Sequence, residues 1–157
     1  MIRKATIADV KRIQSLINLY AEKKLMLARS LSELYENLRD FSVYIENGEM
    51  IGCAAMRIVW EDLCEVKSLA VVEEHQGKGI GSALVRTCLA EAKSMDLPRM
   101  FTLTFQPVFF EKLGFKRVGK ESLPHKIWAE CVRCPHFPDC DEIALDIDPR
   151  AGEWVSG

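Results

Sequence analysis

No apolar run in this 157-residue chain approaches the roughly 20 residues that a bilayer-spanning helix needs, so no transmembrane segment and no membrane partner are expected. Excess charge of one sign is also missing. The 21 Lys and Arg are interspersed with 23 Asp and Glu for a formal net charge of −2, without the concentrated basic face that nucleic-acid binding uses. Nine Gly and six Pro are too few for extended disorder, and no internal repeat or low-complexity tract is present. The opening "MIRKATIADVKRIQSLI" reads as a strand and an amphipathic helix and not as a cleavable signal, which gives the expectation of a cytoplasmic location. The length suits one domain with a full core and leaves little room for a second.

What is present is an ordinary globular balance, 48% apolar and 28% charged. "IRKA" reads as a first strand. Thr6 then caps a helix over roughly residues 7–22, with Asp9 in its first turn and Ile7, Val10, Ile13, Leu16 and Ile17 on its apolar face. Ser30 and Glu33 have capping-box spacing ahead of a second helix carrying Leu34 and Leu38, and the intervening "KKLMLAR" reads as a substrate-facing loop. "FSVYIENGEMIGCAAMRIV" is a hairpin turning at Asn47-Gly48, and "CEVKSLAVVEE" supplies a third consecutive strand. Residues 79–93 turn helical, with Ile80, Leu84, Val85, Cys88, Leu89 and Ala92 on one side. A strand at "RMFTLT", a short helix at "PVFFEKLG", a strand from Phe115 and a last strand at "EIALDID" follow. This order predicts an α/β fold with a mixed sheet. One domain is expected over residues 1–148, including a Cys-containing late loop at 124–142, and the aperiodic tail 149–157 is expected to fray.

Of the six cysteines, Cys53, Cys64 and Cys88 lie in apolar periodic segments where a reduced thiol packs as a small hydrophobe. Cys131, Cys134 and Cys140 cluster in "CVRCPHFPDC" with His136. A Cys3His zinc site, a regulatory disulfide and packed thiols are all compatible with that spacing. A single knuckle without a second, well-separated ligand pair favours packed thiols, with no metal required.

Three glycines fall within five residues in "EEHQGKGIGSALV", after a strand and at the start of a helix. Such a loop offers unpaired amides and the positive end of a helix dipole to phosphate oxygens. A tight turn that needs only positive φ is the plain alternative. The P-loop ending Gly-Lys-Ser/Thr is absent, because Lys78 lies between glycines, and the G-x-G-x-x-G fingerprint fails because positions 82 and 84 are Ser and Leu.

The stretch "HQGKGIGSALV" instead resembles the Q/R-x-x-G-x-G/A signature of the GNAT superfamily of N-acetyltransferases, with Gln76, Gly79 and Gly81 in register. "EVKSLAV" and "FFEKLGF" are similar to that superfamily's fourth strand and its Y-x-K-x-G-F segment, in the expected order. The resemblance covers roughly residues 2–119. It implies a single-domain GNAT fold with a mixed, mostly antiparallel central sheet flanked by helices, and acetyl-CoA as acetyl donor. It further implies cofactor binding by Leu69, Ala70 and Val71 on the strand and by Gln76, Gly77, Lys78, Gly79, Ile80, Gly81 and Ser82 in the loop.

Acetyl transfer to an amine needs a free lone pair, a polarised thioester carbonyl and a proton for the departing thiolate. Strand alternation places Glu65, Lys67, Leu69 and Val71 on one face, and the resemblance makes Glu65 the candidate general base, acting through water. The superfamily's usual tyrosine acid aligns with Phe110, which has no hydroxyl, so Ser68, Tyr44, a water or solvent stands in for it.

More narrowly, "ARSLSELYENLRDFSVYIENGEMIGCAA", "CEVKSLAV" and "KIWAECVRCPHFPDCDEIAL" resemble the short, single-domain N-acetylglutamate synthases of bacterial arginine biosynthesis. The implied acceptor is L-glutamate, whose two carboxylates require cations. Arg29 is the candidate clamp for one, assisted by the amides of the following helix, and Lys67, Arg57 or Lys126 for the second. Gln14 and Asn18 are weaker candidates. Acetylation of another amine and a non-catalytic acyl-CoA-binding module are the alternatives, and the strand edges are compatible with a homodimer.

Overall fold

The computed structural model describes residues 1–23, 25–26, 28–124 and 142–154. Seven strands form one sheet in the order β1-β2-β3-β4-β5-β7-β6. These are β1 (Ile2–Lys4), β2 (Phe41–Glu46), β3 (Glu49–Trp60), β4 (Leu63–Val71), β5 (Met100–Thr104), β6 (Lys116–Val118) and β7 (Ile143–Ile147). The β4–β5 pairing is parallel and the others are antiparallel. The helices are α1 (Val10–Glu22), α2 (Leu31–Glu36), α3 (Ile80–Ser94) and α4 (Pro107–Glu111).

The sheet carries a core on each face. On one face α1 contributes Val10, Ile13, Leu16 and Ile17, which meet Leu34 of α2 and Phe41, Val43, Cys53, Ala55 and Ala70 of the sheet. Ile7, expected in that stripe, is 70% exposed. The chain makes a 3-10 turn over Ile7–Asp9 before α1 begins, which takes Ile7 off the helical face. On the other face α3 buries Leu84, Val85, Cys88, Leu89 and Ala92 against Ala54, Met56, Cys64, Val66 and Val71. Cys53, Cys64 and Cys88 are buried free thiols, and burial pushes each up to about 12.

The β2–β3 hairpin turns through Asn47 and Gly48, both at positive φ (52° and 77°), as a two-residue turn of this hand requires. Residues 149–154, part of the tail expected to fray, fold back instead. Trp154 packs against the α3 core and donates its indole N–H to the Pro149 carbonyl at 2.7 Å, while Lys93 of α3 donates to the Gly152 carbonyl at 2.7 Å. An aromatic anchor with a satisfied N–H holds a segment that lacks periodicity.

Two irregularities in β4 shape the site. Its ladder with β5 covers only Cys64↔Met100 and Glu65↔Phe101, so from Val66 to Val71 the edge toward β5 has no strand partner among the described residues. Opposite β3, the register moves from Ala55↔Lys67 to Cys53↔Ala70, so two residues, Ser68 and Leu69, face one, Ala54. This is a β-bulge, and Ser68 sits in it at φ 54°. The strict alternation expected for β4 ends there. Lys67 and Ala70 face the α1 side, whereas Leu69 and Val71 turn to the α3 core beside Val66.

Candidate active site

The loop between β4 and α3 has the backbone that its glycines suggest. Gly77 and Gly79 take φ of 79° and 83°, and Gly79 caps α3. A side chain at either would meet nothing within 4 Å, so the left-handed backbone, not crowding by the protein, calls for glycine here. Gln76 to Gly79 are exposed, and the 15-residue helix directs its first amides outward beside them. Gly81 lies against the Phe109 ring, 3.4 Å from where its Cβ would be. The edge of β4 that β5 leaves uncovered leads to this loop, so a strand edge without a partner among the described residues and an amide-rich turn are continuous. That arrangement suits a long ligand with an amide-bearing arm and a diphosphate.

At the other end of that edge is a cavity of ≈ 210 Å³, lined by Arg29, Glu33, Asn37, Asp40, Arg57, Lys67 and Ser68 together with Leu34, Phe41 and Ala55. Its volume is below the roughly 300–1,000 Å³ typical of drug-sized sites and suits a small metabolite. The structure therefore brings together Arg29, Arg57 and Lys67, three cations drawn from a loop, β3 and β4. Lys126, Cys131, Cys134, His136 and Cys140 lie outside the described residues. Among the described residues no group of three or more metal-ligating side chains comes together.

Arg29 owes its position to α1. Asn18 Oδ1 accepts from its backbone N–H at 3.3 Å and Gln14 Nε2 donates to its carbonyl at 3.2 Å. Gln14 and Asn18 thus grip the loop backbone. The Arg29 side chain is 11% exposed and pairs with Glu33 at 3.4 Å. α2 has six residues, and Ser30 Oγ already accepts from the Glu33 amide at 3.1 Å, so the help expected from its N-terminal amides is small.

Glu65 is 7% exposed and lies across the ladder from Arg57, on the face that carries Lys67. Ser68 lines the cavity, whereas Tyr44 packs on the opposite face of the sheet, against the α3 core. Phe110 is buried edge-on between Phe109 and Phe115, with centroids 5.0 and 5.2 Å away, so its place is a packing position.

Sequence reasoning missed Asn37 and Asp40, which lie in and beside a 3-10 turn after α2 that has no periodic signal. Burial raises the Asp40 carboxyl above its usual range, against the pull of Lys4, Arg57 and Lys67. Tyr20 was also missed. It reaches from α1 to the end of β4, where its hydroxyl meets the Val71 carbonyl and the Gln76 side chain.

The family described as "Acetyltransferase (GNAT) domain" matches residues 37–117, which contain β2 to α4, the glycine loop and most of the cavity. The chain belongs to the GNAT acetyltransferases. It is an acetyl-CoA-dependent N-acetyltransferase with acetyl-CoA as donor. An uncharacterized N-acetyltransferase of Chlorobaculum tepidum is 40% identical over 144 residues, 92% of this chain and 93% of that protein. The amino-acid acetyltransferase of Mycobacterium tuberculosis is 34% identical over 136 residues, 85% of this chain and 78% of its own length. Among solved structures, N-acetylglutamate synthase of Neisseria gonorrhoeae, complexed with coenzyme A and N-acetyl-glutamate, aligns with a TM-score of 0.86 at 25% identity, covering 94% of this chain and 34% of that one. The GNAT fold is thus shared along nearly the whole chain, whereas the gonococcal synthase extends well beyond it. No helix among the described residues is long and apolar enough to cross a membrane.

Proposed function

We propose that this GNAT enzyme acetylates the α-amino group of L-glutamate, giving N-acetyl-L-glutamate and CoA, the entry reaction of arginine biosynthesis. The observation that carries this reading is the convergence of Arg29, Arg57 and Lys67 on one small cavity at the open edge of β4. A dicarboxylic amino acid brings two carboxylates to cations in that arrangement, and the planar fork of Arg29, which here pairs with Glu33, matches a carboxylate in two-point contact. A polyamine would meet these three cations, although Glu33 and Asp40 also line the cavity. Similarity to the amino-acid acetyltransferase of M. tuberculosis and to the gonococcal N-acetylglutamate synthase adds support.

In this reading the loop from Gln76 to Ser82 holds the diphosphate, and Leu69, Ala70 and Val71 hold the pantetheine arm and polarise the thioester carbonyl through the backbone. Glu65 takes a proton from the ammonium through a water, and the amine nitrogen then attacks the carbonyl carbon. The tetrahedral intermediate loses its remaining extra N–H proton as the C–S bond breaks, and that proton reaches the departing thiolate through solvent or by relay over the Ser68 hydroxyl, which lines the cavity. Arg29 binds one carboxylate of the acceptor, and Arg57 and Lys67 bind the other.

Thiol release from acetyl-CoA, measured with L-glutamate, L-glutamine, L-aspartate, L-lysine and spermidine in separate reactions and with products identified by mass, tests this. Turnover is expected to prefer L-glutamate, and Glu65→Gln is expected to lower kcat by about 10²–10⁴-fold. Turnover confined to a cationic amine would discard the glutamate assignment.

A further inference from the structure

Gln76, the first residue of the loop signature, is exposed but lays its side chain back toward the end of β4. Val72 N–H donates to the Ile51 carbonyl at 2.8 Å, which makes Ile51 and Val72 the hydrogen-bonded pair and Gly52 and Val71 the non-hydrogen-bonded pair of that ladder. The N–H and C=O of Val71 therefore point away from β3, toward the edge that β5 does not cover. The Val71 carbonyl is nonetheless satisfied, because it accepts from Gln76 Nε2 at 3.2 Å and from the Tyr20 hydroxyl. Gln76 Nε2 also donates to the Tyr20 oxygen.

The three groups lie close together: one N–H of Gln76 faces both the Val71 carbonyl and the Tyr20 oxygen, and the phenol proton goes to Val71. This cluster joins the end of the open β4 edge, the first residue of the glycine loop and α1, the helix that also holds Arg29. Burial raises the Tyr20 phenol above its usual range.

We infer that Tyr20 is a positioning residue for acetyl-CoA: with Gln76 it locks the Val71 carbonyl, and so fixes the glycine loop relative to the strand edge that receives the thioester. This rests on the reading that the loop holds the diphosphate and β4 the pantetheine arm. Neither side chain is then needed as a direct contact to the cofactor, and Gln76 serves it from the main chain. If the loop shifts relative to the strand, the two ends of one long ligand no longer fit together, while the acceptor cavity keeps its lining.

The experiment compares wild type with Tyr20→Phe, Gln76→Ala, the double variant and Lys78→Glu, reading CoA affinity by calorimetry, steady-state KM for acetyl-CoA and for the amine, and Tm. Tyr20→Phe keeps the ring and its packing. The expected result is a loss of about 5- to 20-fold in CoA affinity, on the scale of one or two hydrogen bonds. The rise in acetyl-CoA KM should match, with the amine KM and Tm unchanged and the double variant no worse than the poorer single variant. Lys78→Glu, which reverses charge on the exposed loop, should weaken CoA binding independently. CoA affinity lost in Lys78→Glu but unchanged in Tyr20→Phe and Gln76→Ala would overturn the inference alone. Affinity unchanged in all the variants would overturn the loop reading and the inference with it. If both KM values rose together as Tm fell, Tyr20 would be a general structural contact and the inference would also fail.

Discussion

Arg29 and Asp9 show how single residues of this enzyme are set by local chemistry. Arg29 sits in a loop with no regular structure, yet α1 holds its N–H and C=O through Asn18 and Gln14, so its fork is presented from a fixed backbone. Asp9 joins the turn before α1 to β1. It accepts two hydrogen bonds from Arg3, at 2.7 and 3.2 Å, and one from the Thr6 N–H at 2.7 Å. The Arg3 hydrogen bond, the largest cause, helps to pull its carboxyl down from 3.8 to about 2, against partial desolvation. The folded value lies below the unfolded one, so this stabilisation is complete above the ordinary value of 3.8 and is lost as pH falls toward about 2. The pair is partly solvated, which limits its contribution to about 1 kcal/mol. Asp9→Asn should lower Tm at pH 6 and flatten the Tm profile between about pH 4 and pH 2. Parallel profiles for the two proteins would remove the ion pair from the account.

At the scale of elements, β4 is where reading the sequence and seeing the fold part company. Period-two alternation correctly put Glu65 and Lys67 on one face, but it could not anticipate that Ser68 adopts φ 54° and resets the register. Serine carries no local signal for a left-handed backbone, in contrast to Gly77, Gly79 and the Asn47-Gly48 turn, where glycine or asparagine made positive φ legible. The bulge sends Leu69 and Val71 into the α3 core while Ser68 lines the cavity, so one extra residue separates the strand's packing role from its place at the cavity. A non-glycine residue in this conformation carries roughly 1–2 kcal/mol of strain. Ser68→Gly should therefore leave the denaturation midpoint unchanged or raised, whereas Ser68→Val should lower stability by about 1–3 kcal/mol. Equal midpoints for the two variants would show that the bulge does not constrain this residue.

Across the whole molecule, periodicity and capping sufficed for most elements, because α1, α3 and the hairpin each announce a buried face or a turn in contiguous residues. What stayed hidden was set by contacts between distant segments. Trp154 anchors a tail with no pattern of its own, Tyr20 bridges 51 residues to Val71, and Asp40 enters the cavity from a turn. The cations of the site were legible as residues, whereas their convergence depends on α1, β3 and β4 packing as one unit. Convergence is the central claim, and Arg29 tests it most directly because its backbone is held independently of its side chain. The measurement is kcat/KM for L-glutamate in Arg29→Ala against wild type, with CoA affinity as control. A fall of about 10- to 100-fold in kcat/KM, carried by the KM for L-glutamate with CoA affinity unchanged, is the predicted result, on the scale of one charged hydrogen-bonded contact. An unchanged kcat/KM for L-glutamate would contradict the account.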